Sequence, residues 1–103
     1  MAASGVYCIL NVQNGMRYVG SSKRIPERME HHFHMLENGT HHNYLLQQAF
    51  NSCGDVWSFI ILEHCSFARL EATEQKWINR MKTRLYNIQL TVDRSIFNDD
   101  SEC

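Results

Sequence analysis

The chain has 103 residues, of which 44% are hydrophobic and 20% are charged, and its formal net charge is −1 at pH 7. These values are typical of one globular domain, and the charge argues weakly against a general nucleic-acid binder. The longest apolar run, residues 59–62, is far too short to cross a bilayer, and the N-terminus lacks a signal-peptide pattern.

Charged residues are distributed unevenly along the chain. Residues 1–92 contain nine Lys or Arg and seven Asp or Glu, whereas residues 93–103 contain one Arg and four acids. We therefore expect one mildly basic folded domain over residues 1–92, followed by an acidic, flexible tail over residues 93–103. The four cysteines form no CxxC pair, which is typical of reduced thiols in an intracellular protein.

Two strands joined by a tight turn are predicted near the N-terminus. Residues 5–12 alternate in the manner of a strand, and a second short strand follows at residues 16–20. Asn14 and Gly15 lie between them, and Asn-Gly is typical of a two-residue type I′ turn, which needs positive φ at both positions.

The register of this hairpin decides which side chains share a face of the sheet. A two-residue turn pairs Asn11 with Tyr18, and it places Tyr7 and Tyr18 on the same face, about 13 Å apart along the sheet. A three-residue turn would instead place the two tyrosines on opposite faces.

The first helix is predicted from Pro26 to about Glu37, with Asn38-Gly39 as its stop. Its apolar stripe consists of Met29, Phe33 and Leu36.

The helical phase separates the three histidines of this first helix. Arg28 and His32, one turn apart, flank the apolar stripe at the border between core and solvent. His31 and His34 lie on the solvated face. Of the three histidines, His32 is therefore the candidate for a functional role.

The rest of the chain supplies two further helices and a third strand. A helix at about 43–53 is expected to bury Leu45, Leu46, Ala49 and Phe50, and Gly54 ends it. Residues 56–63 are apolar on both faces, which is typical of a central strand covered on both sides. Ser66 can cap a third helix at 67–82, giving the order ββααβα.

Glu74 lies at an unusual position on this third helix. With Leu70 at zero on a helical wheel, Glu74 falls at about 40°, inside the stripe formed by Trp77, Met81 and Leu70. Removing an ionised carboxylate from water costs several kcal/mol unless something compensates it. The ordinary explanations for a glutamate in an apolar stripe are a position at the edge of the stripe or a salt bridge to a residue such as Arg28.

These residues together resemble the GIY-YIG nuclease domain. The resemblance rests on Gly5-Val6-Tyr7, Tyr18-Val19-Gly20, ERMEHHF at 27–33, EATEQKWI at 71–78 and a terminal Tyr-Asn pair, with Val replacing Ile in both tripeptides. It extends over about residues 5–88 and includes similarity to the catalytic domains of phage-type homing endonucleases. It implies an α+β fold in which a small three-stranded, mostly antiparallel sheet is flanked by helices.

The resemblance also implies an activity and a cofactor. It implies an endonuclease that hydrolyses phosphodiester bonds of DNA with one divalent cation, Mg²⁺ or Mn²⁺. Glu74 would bind that cation, which would offset the cost of burying its carboxylate. A hard cation such as Mg²⁺ suits a site with few protein carboxylates and several waters.

Roles for the other site residues also follow from the resemblance. Tyr7 and Tyr18 would line the side of the site that holds the nucleophilic water, and one of them would act as general base. That role needs a cationic neighbour or metal-bound water, because a free tyrosine titrates at about 10. Arg28 would clamp the phosphate as a bidentate donor, and His32 would orient a tyrosine or water or relay a proton. Further substrate-binding positions are Lys23, His41 and Asn87.

Two other interpretations stay open. The histidines and cysteines could ligate a structural zinc, although no second closely spaced pair accompanies His31 and His34. The chain could also be a nucleic-acid-binding module without catalysis, but no expected catalytic position is replaced.

The expected partner is DNA, single-stranded or duplex, and no membrane. We expect either a small stand-alone nuclease, whose contacts a homodimer would double, or the catalytic domain of a homing-type endonuclease that works with a separate DNA-binding domain.

Overall fold

A computed structural model describes residues 3–54, 56–81 and 83–87. The strands are β1 (Gly5–Asn11), β2 (Arg17–Ser22) and β3 (Trp57–His64), and the helices are α1 (Ile25–Asn38), α2 (Tyr44–Cys53) and α3 (Leu70–Met81), which follows a 3₁₀ turn at Phe67–Arg69. The order ββααβα confirms the expected α+β class. No helix within these ranges has the length and hydropathy needed to span a membrane. Residues 88–103, which include the predicted tail, lie outside the described residues.

The sheet has three antiparallel strands in the order β2-β1-β3. The prediction that the third strand is central was wrong, because β1 occupies the centre and β3 lies at an edge. Ile60 and Ile61 are consequently 37% and 45% exposed. A register shift between Val6 and Tyr7 leaves Leu62 as an extra residue of β3, a β-bulge.

The hairpin between β1 and β2 differs from the predicted one. Asn11 N–H donates to the Met16 carbonyl and Gly15 N–H donates to the Asn11 carbonyl, so four residues form the turn. Gly15 has φ 78°, but Asn14, like every other described non-glycine residue, has negative φ, which excludes type I′. The larger turn forms because the Asn11 side-chain oxygen accepts the N–H groups of Gln13 and Asn14.

This four-residue turn shifts the register by two residues and therefore keeps the predicted face. Tyr18 pairs with Ile9, and Tyr7 pairs with Gly20, so the two tyrosines lie on the same face. Their separation along the sheet is about 7 Å rather than the expected 13 Å, because they are offset by two positions along the strand rather than by four.

The core lies on both faces of β1. On one face Val6, Cys8 and Val19 pack with Ile78 of α3. On the other face the side chains of α1, α2 and the C-terminal segment meet the sheet, and the buried members are Ile9, Leu36, Leu46 and Tyr86. Each strand of the hairpin thus presents alternate residues to α3 and to the α1–α2 pair.

The first helix ends as predicted. Gly39 has φ 75°, and its N–H donates to the Leu36 carbonyl in the left-handed conformation that suits glycine after a helix. Leu36 is fully buried, while Met29 and Phe33 of the predicted stripe are half-buried.

Two details of the other helices differ from expectation. Leu45 is 38% exposed, and Gln47 is buried instead. The side-chain amide of Gln47 donates to the Leu36 carbonyl, and its side-chain oxygen accepts the His41 N–H. The Ser66 side chain makes no capping hydrogen bond, since a 3₁₀ turn precedes α3.

Gly5 allows β1 and β3 to approach closely. A Cβ at this position would lie 2.3 Å from the Glu63 carbonyl oxygen, which belongs to the backbone and cannot move aside locally. The first glycine of the motif is therefore needed for strand packing rather than for an unusual φ angle.

Candidate active site

A chain of hydrogen bonds links three of the predicted site residues. The Tyr7 hydroxyl lies 2.5 Å from His32 Nε2, and His32 Nδ1 lies 2.8 Å from His41 Nε2. The backbone N–H of Asn43 donates to His41 Nδ1 at 3.0 Å. We call Tyr7, His32, His41 and the Asn43 amide the histidine chain. His32 is only 1% exposed, so it lies deeper than the border position that the helical phase predicted.

Burial keeps both histidines of this chain neutral. Desolvation, followed by repulsion from His41 and Arg28, lowers the pKa of His32 from its ordinary value to about 2. Desolvation, followed by repulsion from His42 and His31, lowers the pKa of His41 to about 4. At neutral pH each ring therefore carries one proton and offers one donor and one acceptor.

Gly20 allows the Tyr7 hydroxyl to lie against β2. A Cβ at residue 20 would lie 2.6 Å from the Tyr7 hydroxyl oxygen. Tyr7 is 1% exposed, and its ring stacks on Phe59 at 4.9 Å. The glycine that ends the second tripeptide therefore provides the space in which the Tyr7 hydroxyl meets His32.

Tyr18 lies nearer to solvent on the same face. Its ring contacts His32 and His41 edge-on, with centroid distances of 5.5 and 5.8 Å. Its hydroxyl lies 3.4 Å from Nε2 of His42, which is exposed. The two predicted tyrosines thus occupy different environments, since Tyr7 is buried and Tyr18 is half-buried.

Glu74 is buried as its position on the helical wheel predicted. It is 5% exposed, and the Ser21 hydroxyl donates to its Oε1 at 2.5 Å. Desolvation raises the pKa of Glu74 from 4.5 to about 7, although the Ser21 hydrogen bond and the Arg28 charge oppose the shift. Within the described part of the chain Glu74 and Arg28 form no ion pair, so the salt bridge considered as an ordinary explanation is not observed.

The tyrosines and Glu74 lie on opposite faces of the sheet. Tyr18 is on the α1–α2 side with Ile9, whereas Ser21, which holds Glu74, is on the α3 side of β2. Arg28 links the two groups electrostatically, because its charge lowers the pKa of both His32 and Glu74. The structure therefore arranges these residues as two groups, and the charge of Arg28 acts on both.

A basic cleft adjoins Arg28. It has a volume of about 250 Å³ and is lined by the residues at the end of β2 and the start of α1: Ser22, Lys23, Arg24, Glu27, Arg28 and His31. Three of these six side chains are Lys or Arg, one is His and one is acidic. Lys23 also lies over the Phe67 ring, 5.0 Å from its centroid.

Asn87 is held along the outer edge of β2. Its side-chain oxygen accepts the Val19 N–H and its amide donates to the Val19 carbonyl, both at 2.9 Å. Arg17 O accepts the N–H of Tyr86 in the same segment. The amide of Asn87 thus pairs with β2 as another strand would.

Three residues of the site carried no clear sequence signal. Ser21 lies just beyond the predicted second strand, and its contact with Glu74 depends on how α3 packs. Asn43 was expected only as the start of a helix, and Arg24 was assigned no role. Their proximity to the site follows from tertiary packing, which local patterns do not report.

Comparison with known proteins agrees with this architecture. The family model of the GIY-YIG catalytic domain matches residues 3–87. The chain belongs to the GIY-YIG family. It is a GIY-YIG endonuclease domain, and Tyr7, Gly20 and Glu74 lie within the matched range.

A relative found by sequence comparison is a phage endonuclease. Intron-associated endonuclease 1 of Enterobacteria phage T4 is 37% identical over 89 residues, which cover 82% of this chain and 36% of the relative. The chain thus spans about a third of that relative's length.

Solved structures of related domains superpose closely. The catalytic domain of homing endonuclease I-TevI matches with a TM-score of 0.78 and 37% identity, over 84% of this chain and 98% of that one. A glutamate-to-alanine mutant of the catalytic domain of intron endonuclease I-TevI matches with a TM-score of 0.79 and 35% identity, over 87% and 97% of the two chains.

The donor atoms near Glu74 suit a hard divalent cation. One desolvated carboxylate and the Ser21 hydroxyl provide oxygen ligands, and Mg²⁺ keeps most of its waters when few protein ligands bind it. Among the described residues no group of three or more His, Cys, Asp or Glu side chains is arranged to hold a metal ion. The structural-zinc interpretation therefore lacks a site in the described part of the chain.

The raised pKa of Glu74 predicts a pH-dependent effect of Glu74→Gln on stability. Between pH 4.5 and 7 the folded protein keeps a proton that the unfolded chain has released, so this carboxyl lowers stability as pH rises. We expect Glu74→Gln, in EDTA, to be about 1–3 kcal/mol more stable than the wild type at pH 8 and equal to it at pH 4. Urea unfolding at both pH values measures the difference. The exposed control Glu30→Gln should show no such pH dependence, and equal stability of Glu74→Gln and wild type at pH 8 would contradict the burial cost.

Proposed function

We propose that this domain hydrolyses phosphodiester bonds of DNA with a single divalent cation, Mg²⁺ or Mn²⁺, bound by Glu74. The observation that carries the proposal is the buried carboxylate of Glu74, 5% exposed, beside Arg28 and the basic cleft. A carboxyl group with a pKa of about 7 is destabilised as an anion, and a bound cation would remove that cost. When bound, the cation would neutralise charge that develops on the phosphate and the leaving oxygen.

Arg28 is the proposed phosphate clamp. It is half-buried, its charge acts on both Glu74 and His32, and within the described residues no hydrogen bond or ion pair occupies its guanidinium. A planar guanidinium can bind two phosphate oxygens at once and keeps its charge at every relevant pH. A phosphate held there would lie between the two polar groups of the site.

Tyr7, Tyr18 and the two histidines would act on the other side of that phosphate. The histidine chain fixes the Tyr7 hydroxyl at a buried position, and Tyr18 lies nearer to solvent. We propose that these hydroxyls position the attacking water and that one of them accepts its proton. His32 would orient Tyr7, and His41 would act through His32.

The basic cleft supports nucleic acid as the substrate. Lys23, Arg24 and His31 extend the positive surface from Arg28 along the start of α1, where a neighbouring phosphate of the same strand could bind. Asn87 would then support the edge of β2 beside the site, in addition to any contact with substrate.

We further propose that the domain does not bind its substrate alone. A single small cleft provides few phosphate contacts, compared with roughly 6–10 in typical duplex binders. A separate DNA-binding domain, as in a homing-type endonuclease, or a second copy of the chain would supply the rest. The chain spans 36% of the T4 relative, so that relative has the length for a further domain.

We propose that the enzyme acts inside a cell. The thiols of Cys8, Cys53 and Cys65 are free, which is usual in reducing compartments, and the T4 relative is a phage protein. The alternative of an inactive nucleic-acid-binding module is less well supported, because every candidate catalytic side chain is present.

Glu74→Gln should abolish metal-dependent cleavage, because it keeps the side-chain volume but removes the anionic ligand. We expect at least a hundredfold loss with end-labelled single-stranded and duplex DNA in Mg²⁺, and no cleavage by either protein in EDTA. Glu71→Gln, on the same helix, is the matched control and should retain activity. Cleavage by Glu74→Gln above one hundredth of the wild-type rate would rule out its role as metal ligand.

Arg24→Ala should weaken DNA binding in a salt-dependent manner if the basic cleft holds a phosphate. Binding measured in EDTA at several salt concentrations should show a log–log slope smaller by about 1, the effect of losing one phosphate contact. Arg80→Ala is the control, because Arg80 packs on Trp77 of α3 and does not line the cleft. An unchanged slope for Arg24→Ala would show that the cleft does not bind the substrate backbone.

A further inference from the structure

The Asn43 amide fixes the position of the proton on His41. A backbone N–H can only donate, and the Asn43 N–H is directed at His41 Nδ1 at 3.0 Å, so this nitrogen must carry a lone pair. Because His41 is neutral, its proton then resides on Nε2. The tautomer of His41 thus follows from the backbone of the residue two positions later.

The tautomer of His41 in turn determines the tautomer of His32. His41 Nε2 is 2.8 Å from His32 Nδ1, and since the proton is on the His41 side, His32 Nδ1 must be the acceptor. The remaining proton of the neutral His32 ring is therefore on Nε2, the atom that lies 2.5 Å from the Tyr7 hydroxyl. His32 consequently donates to Tyr7 and does not accept from it.

The position of the Asn43 amide is itself held by other hydrogen bonds. The Asn43 side chain accepts the Leu46 N–H at the start of α2 and donates to the Tyr86 carbonyl, and the residue is 4% exposed. The His41 N–H is bound by the Gln47 side chain. Reversing the tautomers would leave the buried Asn43 amide facing another N–H, so the surrounding structure maintains one direction of donation.

We propose that His41 and the Asn43 amide are positioning groups that hold His32 in its Nε2–H tautomer, so that Tyr7 receives a hydrogen bond from His32. This inference rests on the proposed nuclease function and concerns the role of Tyr7 within it. A fixed N–H donor favours negative charge on the Tyr7 oxygen, and a neutral His32 with its proton on Nε2 cannot take the Tyr7 proton. The Tyr18 hydroxyl lies 3.4 Å from His42, which is exposed.

The direct test is ¹⁵N nuclear magnetic resonance of histidine-labelled protein without metal or DNA at pH 7. Long-range ¹H–¹⁵N correlations distinguish protonated from unprotonated ring nitrogens, and His32→Gln assigns the His32 signals. We expect both His32 and His41 as single Nε2–H tautomers. An Nδ1–H tautomer at His32 would overturn the proposal even if the protein cleaves DNA, so its failure is distinct from failure of the nuclease assignment.

A second variant tests whether His41 sets the tautomer. His41→Phe keeps an aromatic ring beside His32 but removes both nitrogens, and we expect His32 to populate both tautomers. The exposed control His34→Phe should leave the His32 signals unchanged. An unaltered single tautomer in His41→Phe would refute the role of His41. If that variant does not fold, the wild-type spectrum still decides the direction of donation.

Cleavage rates of two His32 variants test the function of the donor. The Gln amide can donate to the Tyr7 hydroxyl but cannot act as a base, and Ala can do neither. We expect His32→Gln to cleave at least tenfold faster than His32→Ala. Equal rates would show that donation from residue 32 to Tyr7 does not contribute to turnover.

Discussion

The carboxyl group of Glu74 is removed from water in the folded protein, and much of the site is arranged around that cost. The residue is 5% exposed on a helix whose neighbouring positions form the core, and desolvation raises its pKa to about 7. Ser21 donates to it from β2, and the Arg28 charge opposes the shift without forming an ion pair. A carboxylate that protein groups satisfy only in part is suited to bind a cation.

A second constraint is the close approach of Tyr7 to the backbone of β2. Any side chain at residue 20 would collide with the Tyr7 hydroxyl, so a glycine is required where that hydroxyl meets His32. The histidines behind it are kept neutral by burial, and the Asn43 amide gives their hydrogen bonds a direction. The Arg28 charge acts on both His32 and Glu74, so a phosphate bound by Arg28 would connect two groups that the sheet separates.

Local periodicity was sufficient for much of this arrangement. The helical phase placed Glu74 among core residues and selected His32 over His31 and His34, because each inference depends on angles within one helix. The face shared by Tyr7 and Tyr18 was also correct, since a shift of two residues in a strand preserves the face. The same local patterns supplied the three strands and their order along the chain, and the family resemblance, carried by ordered motifs, supplied the activity.

The remaining features depend on contacts between distant residues. The Asn11 side chain enlarges the first turn, which an Asn-Gly pair alone does not reveal. The strand order places β3 at the edge of the sheet. Gln47 is buried in place of Leu45 because its side-chain amide forms hydrogen bonds in the interior. The separation of Glu74 from the tyrosines by the sheet, and the contact of Ser21 with Glu74, likewise follow from how α3 packs on β2.

The most direct test of the account is a Mn²⁺ titration of the wild type and Glu74→Gln, without DNA, at pH 6 and pH 8. Because protonation of Glu74 competes with the metal and its pKa is about 7, the wild type should bind Mn²⁺ about tenfold more weakly at pH 6 than at pH 8. Glu74→Gln should bind far more weakly at both pH values. Equal affinity of the two proteins, or wild-type affinity independent of pH, would contradict the claim that the buried carboxylate of Glu74 holds the metal.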